Sequence, residues 1–279
     1  ADSVDFATHR FDRRTWDYRE PSSIYAQGDA AVIEHFSALG EYARSLGLTV
    51  GQTHGRGEGF LNDPAEDDAQ VENARLDLLA ASALGAPVCV IHNPTSIHHG
   101  PDPDPVMMRN LSFNQFTRML PYAAKYGVKL ATETFGDAVE YDSIDFFGNL
   151  TEFQNINARI RQASEYRDRF TVCMDTGHTN KASRFGQPKP GDAIRMLGKD
   201  ITVLHLNDND TLTDQHKTPL SGTIDWSDVF AALDEVAYAG NYNMELRLEH
   251  YGKNLMVETG AFAVKLMKDL LHERYGDGE

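Results

Sequence analysis

The clearest indication of the fold is the stretch "VCMDTGHTNKA" (residues 172–182), in which an apolar, strand-like run stops abruptly at an aspartate. Asp175 is followed by Gly177, which permits a turn, and by His178. Similar breaks end other apolar runs of the chain, as in "PVCVIH", "VKLATETF" and "ITVLHLND". A polar side chain with acid, base or ligand chemistry therefore recurs where successive strands end.

These strand ends are separated by 30 to 42 residues, the length of one strand plus one helix, and they fall at His54, His92, Glu133, Asp175, His205 and Glu245. Polar residues at the ends of successive strands all face one rim only if the strands close or nearly close into a barrel. An open doubly wound sheet would carry a G-x-G-x-x-G loop after its first strand, and none stands there. The pattern predicts an α/β fold, a (β/α)8 TIM barrel.

Strand-like and helix-like segments alternate along the chain, as expected for βαβ units. The seven predicted strands are "SVDFAT", "LTVGQTH", "PVCVIH", "VKLATETF", "FTVCMDTGH", "ITVLHLND" and "YNMELRL". The predicted helices cover about 31–46, 71–84, 113–126, 153–166, 192–197, 226–236 and 256–271. An eighth strand is expected before Ala1, or the barrel is incomplete. We expect residues 1–279 to form one domain.

Composition restricts the class of partner. The formal charge of -16 disfavours polyanions such as nucleic acid. Cys89 and Cys173 lie inside apolar runs, which indicates buried thiols in a reducing compartment, and we expect a cytoplasmic protein. No stretch approaches the 18 apolar residues of a membrane span. A homo-oligomer is compatible with all of this.

The polar residues at the strand ends are all oxygen or imidazole donors. A carboxylate beside an apolar run is costly to bury unless it meets a cation, so several that converge on one rim indicate a divalent metal. Mixed carboxylate and imidazole ligation without cysteine suits Mn²⁺, Co²⁺, Mg²⁺ or Zn²⁺ and does not choose among them.

Four motifs, "TET" (132–134), "CMDTGH" (173–178), "HLNDND…DQHKTPLSGTIDW" (205–226) and "MEL" (244–246), resemble the xylose-isomerase-like barrel superfamily in order and spacing. That superfamily includes sugar isomerases, ketose 3-epimerases, inosose dehydratase relatives and apurinic-site endonucleases. The resemblance runs from about Asp5 to the end of the chain, and its start matches the family's second strand. It implies a carbohydrate-directed, metal-dependent isomerase or epimerase.

The resemblance also implies roles for individual residues. The ligands of one divalent ion would be Glu133, Asp175, His205 and Glu245. Glu133 and Glu245 would in addition exchange protons with the sugar through an enediolate. The side chains expected to contact substrate are His54, His92, His178, Asp208, His216 and Arg247. Val139 and Thr211 stand where ketose 3-epimerases tend to carry a glutamate and an arginine, with Glu140 or Arg247 as substitutes, so a free-ketose 3-epimerase is not predicted.

Structural interpretations compete at each of these positions. Asp175 suits a helix N-cap, Glu133 and Glu245 suit salt bridges, and His205 suits a hydrogen-bonded core histidine. Trp16 and Trp226 fit sugar stacking or packing. His98 and His99 are expected to be solvated. The segment "EYDSIDFFGNL" (140–150) fits a hydrophobic lid or an interface.

The sequence leaves two roles open for Asp214 and His216. In the endonuclease branch such an Asp-x-His pair binds further zinc ions, so a second metal site is one interpretation. A substrate loop is the other. The competing functions are accordingly a zinc-dependent apurinic-site endonuclease, a carbohydrate lyase or dehydratase, and a non-catalytic metal-binding barrel. The acidic rim loops "HHGPDPDP" and "NDNDTLTD" speak against the endonuclease.

Overall fold

A curled sheet of six parallel strands forms the centre of the computed structural model, which describes residues 1–8, 18–56 and 59–276. The strands are Ser3–Ala7 (β1), Thr49–His54 (β2), Val88–Ile91 (β3), Lys129–Glu133 (β4), Asp137–Ala138 (β5), Ser143–Ile144 (β6), Phe170–Asp175 (β7) and Ile201–His205 (β8). Strands β5 and β6 form a separate two-stranded hairpin. The order in the main sheet is β1-β2-β3-β4-β7-β8. This is the predicted TIM-barrel architecture. Trp16 lies outside the described residues.

Helices follow the strands and cover the outside of the sheet. They are Asp29–Ser45 (α1), Pro64–Leu84 (α2), Ser96–His99 (α3), Pro105–Tyr126 (α4), Leu150–Ala163 (α5), Thr176–Ser183 (α6), Pro190–Leu197 (α7), Trp226–Glu235 (α8) and Met256–Tyr275 (α9). Within the described ranges, no helix combines the length and the apolar character that crossing a membrane demands.

Two helices begin earlier than predicted, because their first turns are marked by caps rather than by apolar periodicity. Asp63 caps α2 and Asp104 caps α4, and each is followed by a proline at the first helical position. An aspartate that accepts from free N–H groups and a proline with its φ already fixed are both favourable there. The predicted starts at Val71 and Phe113 were therefore wrong by two turns.

The seventh predicted strand, "YNMELRL", is not a regular strand. Met244 forms a single parallel bridge with Leu206, supported by the hydrogen bonds Leu206 N to Asn243 O (2.8 Å) and Glu245 N to Leu206 O (3.2 Å). On its other side, a groove of about 440 Å³ separates residues 240–244 from β1. Because this segment has a strand partner along just one edge in the described part of the chain, it lacks the second set of backbone hydrogen bonds that would hold it extended. It nevertheless places Glu245 at the rim of the barrel.

The interior of the barrel is apolar below the rim. Its packed cluster consists of Val88, Val90, Ala131, Cys173 and Val203. A larger cluster fills the space between the strands and the helices. Cys89 and Cys173 are both buried and form no disulfide, as expected.

The segment 140–150 is fastened to the short helix α3. Asp145 is fully buried, and its carboxylate accepts hydrogen bonds from Ser96 N (2.7 Å) and Phe147 N (2.9 Å). Phe147 is buried in the core, whereas Val139 and Tyr141 remain exposed. The segment is therefore anchored at its C-terminal half and presents apolar side chains at its N-terminal side.

We expect Asp145 to make the stability of the protein fall as pH rises from 5 to 7. Burial raises the pKa of its carboxyl to about 6, although hydrogen bonds from backbone N–H groups oppose the rise. The folded state then binds the proton more tightly than the unfolded state, so ionisation above pH 5 costs stability. Relative to Asp145→Asn, the free energy of unfolding of the wild type should fall by about 1 kcal/mol over this interval, measured by urea denaturation. A constant difference would contradict the shift.

Candidate metal centre

Strand alternation brings the polar strand ends together. Side chains two residues apart on a strand share a face. Glu133, Asp175 and His205 each follow an inward-facing core residue by two positions, namely Ala131, Cys173 and Val203. Asp175 pairs with His205 across β7 and β8, and Glu133 pairs with Cys173 across β4 and β7, so the three side chains share one face of the sheet. All three side chains therefore enter the barrel mouth, directly above the apolar interior.

The four predicted ligands form one compact group. Ligand atoms of Glu133, Asp175, His205 and Glu245 all lie within 4.8 Å of one another. His205 Nδ1 is 3.0 Å from Glu133 Oε1 and 3.4 Å from Glu245 Oε2. Glu133, Asp175 and His205 are completely buried, and the Glu245 side chain is 22 % exposed.

Glu133 lies at the centre of a group of four histidines. Its two carboxylate oxygens lie 3.0 to 3.5 Å from nitrogens of four imidazoles, which belong to His54, His92, His178 and His205. Despite these neighbours, Glu133 Oε2 is a buried atom that accepts no hydrogen bond of good geometry within the described part of the chain. An unsatisfied buried oxygen is costly, so the position fits a cation.

Charges in the mouth shift the pKa values in opposite directions. Burial would raise the pKa of Glu133, but His205 and His178 outweigh it and hold that pKa well below its usual range. Burial would also raise the pKa of Glu245, but His205, His54 and His216 together lower it. The pKa of Asp175 is raised, chiefly by burial.

The histidines are shifted upward. Burial alone would lower their pKa values, but the pKa of His54 is raised to about 9 by Glu133. Nearby carboxylates raise the pKa values of His178 and His205 well above the ordinary value. Imidazolium protons thus balance the carboxylates, and a divalent ion would take their place with proton release.

A second group of donors lies beside the first. Ligand atoms of His178, Asp214 and His216 are within 4.8 Å of one another, and His54, His92 and Glu133 form a further such group. Asp214 Oδ2 lies 3.1 Å from His216 Nε2 and accepts from Arg247 Nη2 at 2.8 Å. Burial would raise the pKa of Asp214, but His216 and His178 lower it strongly.

Comparison with known proteins identifies the family. The model of the xylose isomerase-like TIM barrel family matches residues 2–263 of the 279. The chain is a xylose isomerase-like TIM barrel. The family expected from the four sequence motifs is thereby confirmed.

Similar proteins lie across this family of barrels. An uncharacterised protein of Sinorhizobium fredii, y4fM, is 26 % identical over 180 residues, and the match covers 63 % of this chain and 52 % of that protein. The chain thus spans about half the length of this curated relative. The crystal structure of IolI protein with a binding zinc atom superposes with a TM-score of 0.72 at 17 % identity, covering 98 % and 88 % of the two chains. D-psicose 3-epimerase with D-tagatose, from Clostridium cellulolyticum, gives 0.70 at 17 %, covering 97 % and 89 %. At these identities the structures share the fold.

The remaining predicted residues of the xylose isomerase-like barrel are placed as follows. Asp208 is fully buried, and its carboxylate accepts from Trp226 Nε1 (2.9 Å), Asn209 N (2.9 Å) and Ile224 N (3.2 Å). Trp226 itself is only 3 % exposed. Asp208 and Trp226 are therefore buried beneath the loop that follows β8, and their hydrogen bond helps to hold that loop. A contact between Asp208 and a substrate stays a prediction.

His98 and His99 differ from each other in their surroundings. His98 is exposed, as expected, and lines the cavity described next. His99 is partly buried and contacts Phe60 O at 3.0 Å through Nε2, so the expectation that it is solvated was wrong. Gly59, which precedes Phe60, lies so close to Pro94 that a Cβ at this position would be 2.2 Å from Pro94 Cα.

A cavity of about 280 Å³ adjoins the candidate metal centre of this xylose isomerase-like barrel. Its wall includes His92, Ile97, Phe135, His178, Lys181 and Asp214. Lys181 is 3 % exposed, and its Nζ lies 2.6 Å from Asp137 Oδ1. Sequence reasoning missed Phe135 and Lys181, although Lys181 follows His178 by three residues and so shares a helix face with it.

Proposed function

We propose that this protein is a divalent-metal-dependent isomerase or epimerase that acts on a carbohydrate or a related polyol. The observation that carries the proposal is the convergence of Glu133, Asp175, His205 and Glu245, with ligand atoms within 4.8 Å, at the mouth of the barrel. The carboxyl ends of the strands are where TIM-barrel enzymes place their chemistry. Sugar epimerases among the structures that share this fold support the same class of reaction.

The four donors would hold one ion, either Mn²⁺, Co²⁺, Mg²⁺ or Zn²⁺, with no preference dictated by the donor types. Such an ion acts as a Lewis acid that makes the C–H bond next to a carbonyl more acidic. The donor set fits it, since three carboxylates and an imidazole already face one point without a cationic lysine or arginine among them.

Glu133 and Glu245 are the proposed acid and base. Their pKa values are both lowered, so both are carboxylates near neutral pH and either can accept a proton. The Glu245 side chain, at 22 % exposure, is the more accessible of the two. Removal of a proton by one glutamate and its return by the other from the opposite face would invert a carbon. Return to the adjacent carbon would isomerise the sugar.

The neighbouring cavity is proposed to hold the rest of a small substrate. Its volume of about 280 Å³ provides room for a small substrate such as a monosaccharide. His92 and His178 reach it from the metal centre, and Phe135 gives it an apolar face. The net charge of -16 makes nucleic acid an unfavourable partner.

Phosphodiester hydrolysis is a second candidate, favoured by one observation. Beside the group of four proposed ligands, the mouth contains further groups of donors, among them His54 with His92 and Glu133, and His178 with Asp214 and His216. Three zinc ions per chain, determined by elemental analysis, together with cleavage of abasic duplex would support this candidate. One ion per chain would support the isomerase.

We expect the metal-loaded protein to exchange a substrate C–H with solvent deuterium. The test is NMR of a panel of ketoses, 3-keto-glycosides and inososes in D₂O. The matched control is the same protein stripped by a chelator, which should show no exchange. Absence of exchange across the whole panel with the loaded protein would rule against proton transfer.

A further inference from the structure

The two ring nitrogens of His205 face different carboxylates. Nδ1 points into the metal centre, 3.0 Å from Glu133 Oε1 and 3.4 Å from Glu245 Oε2. Nε2 points away from that centre and lies 3.2 Å from Asp5 Oδ2. His205 is fully buried, so water does not compete for either nitrogen. The nitrogen available to an ion is therefore Nδ1, and Asp5 stands behind the ring.

Asp5 is held in place by two amides. Gln52 Nε2 donates to Asp5 Oδ2 at 3.0 Å, and Asn243 Nδ2 donates to the same oxygen at 3.3 Å. Gln52 is 2 % exposed and belongs to β2, the neighbour of the strand that carries Asp5. Hydrogen bonds from two further segments of the barrel therefore hold Asp5 Oδ2, the oxygen next to His205 Nε2. The side chain of Asp5 is 16 % exposed.

We propose that Asp5 is a positioning residue that keeps the proton of His205 on Nε2 and so leaves the Nδ1 lone pair free for the metal. A neutral imidazole has one N–H, and a carboxylate beside one nitrogen favours the tautomer that is protonated there. Carboxylates behind metal-binding histidines commonly fix the ring in this way. The inference rests on the proposed metal centre and adds to it a residue outside the ligand set.

A purely structural role predicts something different. Asp5 lies at the edge of the groove between β1 and residues 240–244, and its bonds to Gln52 and Asn243 could serve only to join these segments. In that case, loss of its charge would change stability and leave the properties of a bound ion unaltered. Metal affinity and the spectrum of the ion separate the two roles.

The test is a titration of the metal-free full chain with Co²⁺, followed by its visible absorption, for the wild type, Asp5→Asn, Asp5→Glu and Asp2→Asn. Asp2 is an exposed aspartate of the same segment that pairs with Lys268, so Asp2→Asn matches the change in charge. We expect Asp5→Asn to bind Co²⁺ about 10- to 100-fold more weakly with an altered spectrum. Asp2→Asn should bind as the wild type does, and Asp5→Glu should recover part of the loss.

Each other outcome overturns the proposal. If Asp5→Asn binds Co²⁺ with the wild-type affinity and spectrum, Asp5 plays no part and the metal centre stands without it. If Asp5→Asn and Asp5→Glu are weakened equally with an unchanged spectrum, the role is packing. If the wild type binds no Co²⁺, the metal centre fails together with the proposed function. Thermal unfolding of each variant, measured in parallel, shows whether a variant that fails to bind is folded.

Discussion

Replacing Glu133 with glutamine will lower the rate of substrate proton exchange by about 10²- to 10⁴-fold, the range for loss of a general acid or base. The carboxylate is within 3.5 Å of four imidazoles, those of His54, His92, His178 and His205. Glutamine keeps the shape but removes the charge that holds these rings and the basicity that accepts a proton. The measurement is deuterium incorporation by NMR, with metal content determined on the same samples.

Glu165→Gln is the matched control for Glu133→Gln. Glu165 is exposed and lies in the connection that leads into β7, at the end of that strand opposite to Asp175. We expect its replacement to leave exchange within about twofold of the wild type, since surface substitutions rarely exceed ±0.5 kcal/mol. Equal losses in both variants would show that Glu133 is not the proton-transfer residue.

Replacing Asp77 with alanine will destabilise the protein by about 3 to 5 kcal/mol, as expected when one partner of a buried ion pair is removed. Asp77 is fully buried in α2 and accepts from Arg56 Nε (2.8 Å), Arg56 N (2.9 Å) and Thr8 Oγ1 (2.9 Å). Without it, Arg56, whose side chain is 1 % exposed, loses the buried carboxylate that accepts from its Nε and backbone N. Urea denaturation at pH 7 measures the change.

Asp68→Ala on the same helix is the control for Asp77→Ala. Its partner Arg118 forms a surface ion pair, and the Asp68 side chain is 72 % exposed. Exposed pairs contribute about 0 to 1 kcal/mol, so this variant should unfold at nearly the wild-type urea concentration. A loss below about 1 kcal/mol for Asp77→Ala would mean that Arg56 finds water or another acceptor.

Much of the site could be predicted from the sequence, because the alternation of side chains between the two faces of a strand depends only on neighbouring residues. Once a run such as "TVCMD" is recognised as a strand, the alternation of side chains places Asp175 on the same face as Cys173. The same reasoning applies to the last residue of each regularly spaced strand. Asp175 also shows why rival interpretations need not exclude each other. It caps α6 by accepting from His178 N at 2.7 Å, and it also lies within the donor group.

Contacts between distant segments could not be predicted in this way. Asp5 and His205 are 200 residues apart in sequence, and only the curling of the sheet brings Asp5 Oδ2 within 3.2 Å of His205 Nε2. The salt bridge of Lys181 with Asp137 depends on the β5–β6 hairpin, which the sequence did not reveal. The segment around Glu245 was misjudged as a regular strand, because its composition favours one while its second edge is unpaired in the described chain.

The two oxygens of Asp175 have a mechanical consequence. Oδ1 accepts from His178 N at the start of α6, and Oδ2 accepts from Asn207 Nδ2 in the loop after β8. Any ion that recruits this carboxylate would therefore pull on α6 and on the β8 loop at once. Because α6 also carries Lys181, which lines the adjoining cavity, an ion bound to Asp175 is expected to restrict the motion of that cavity wall as well.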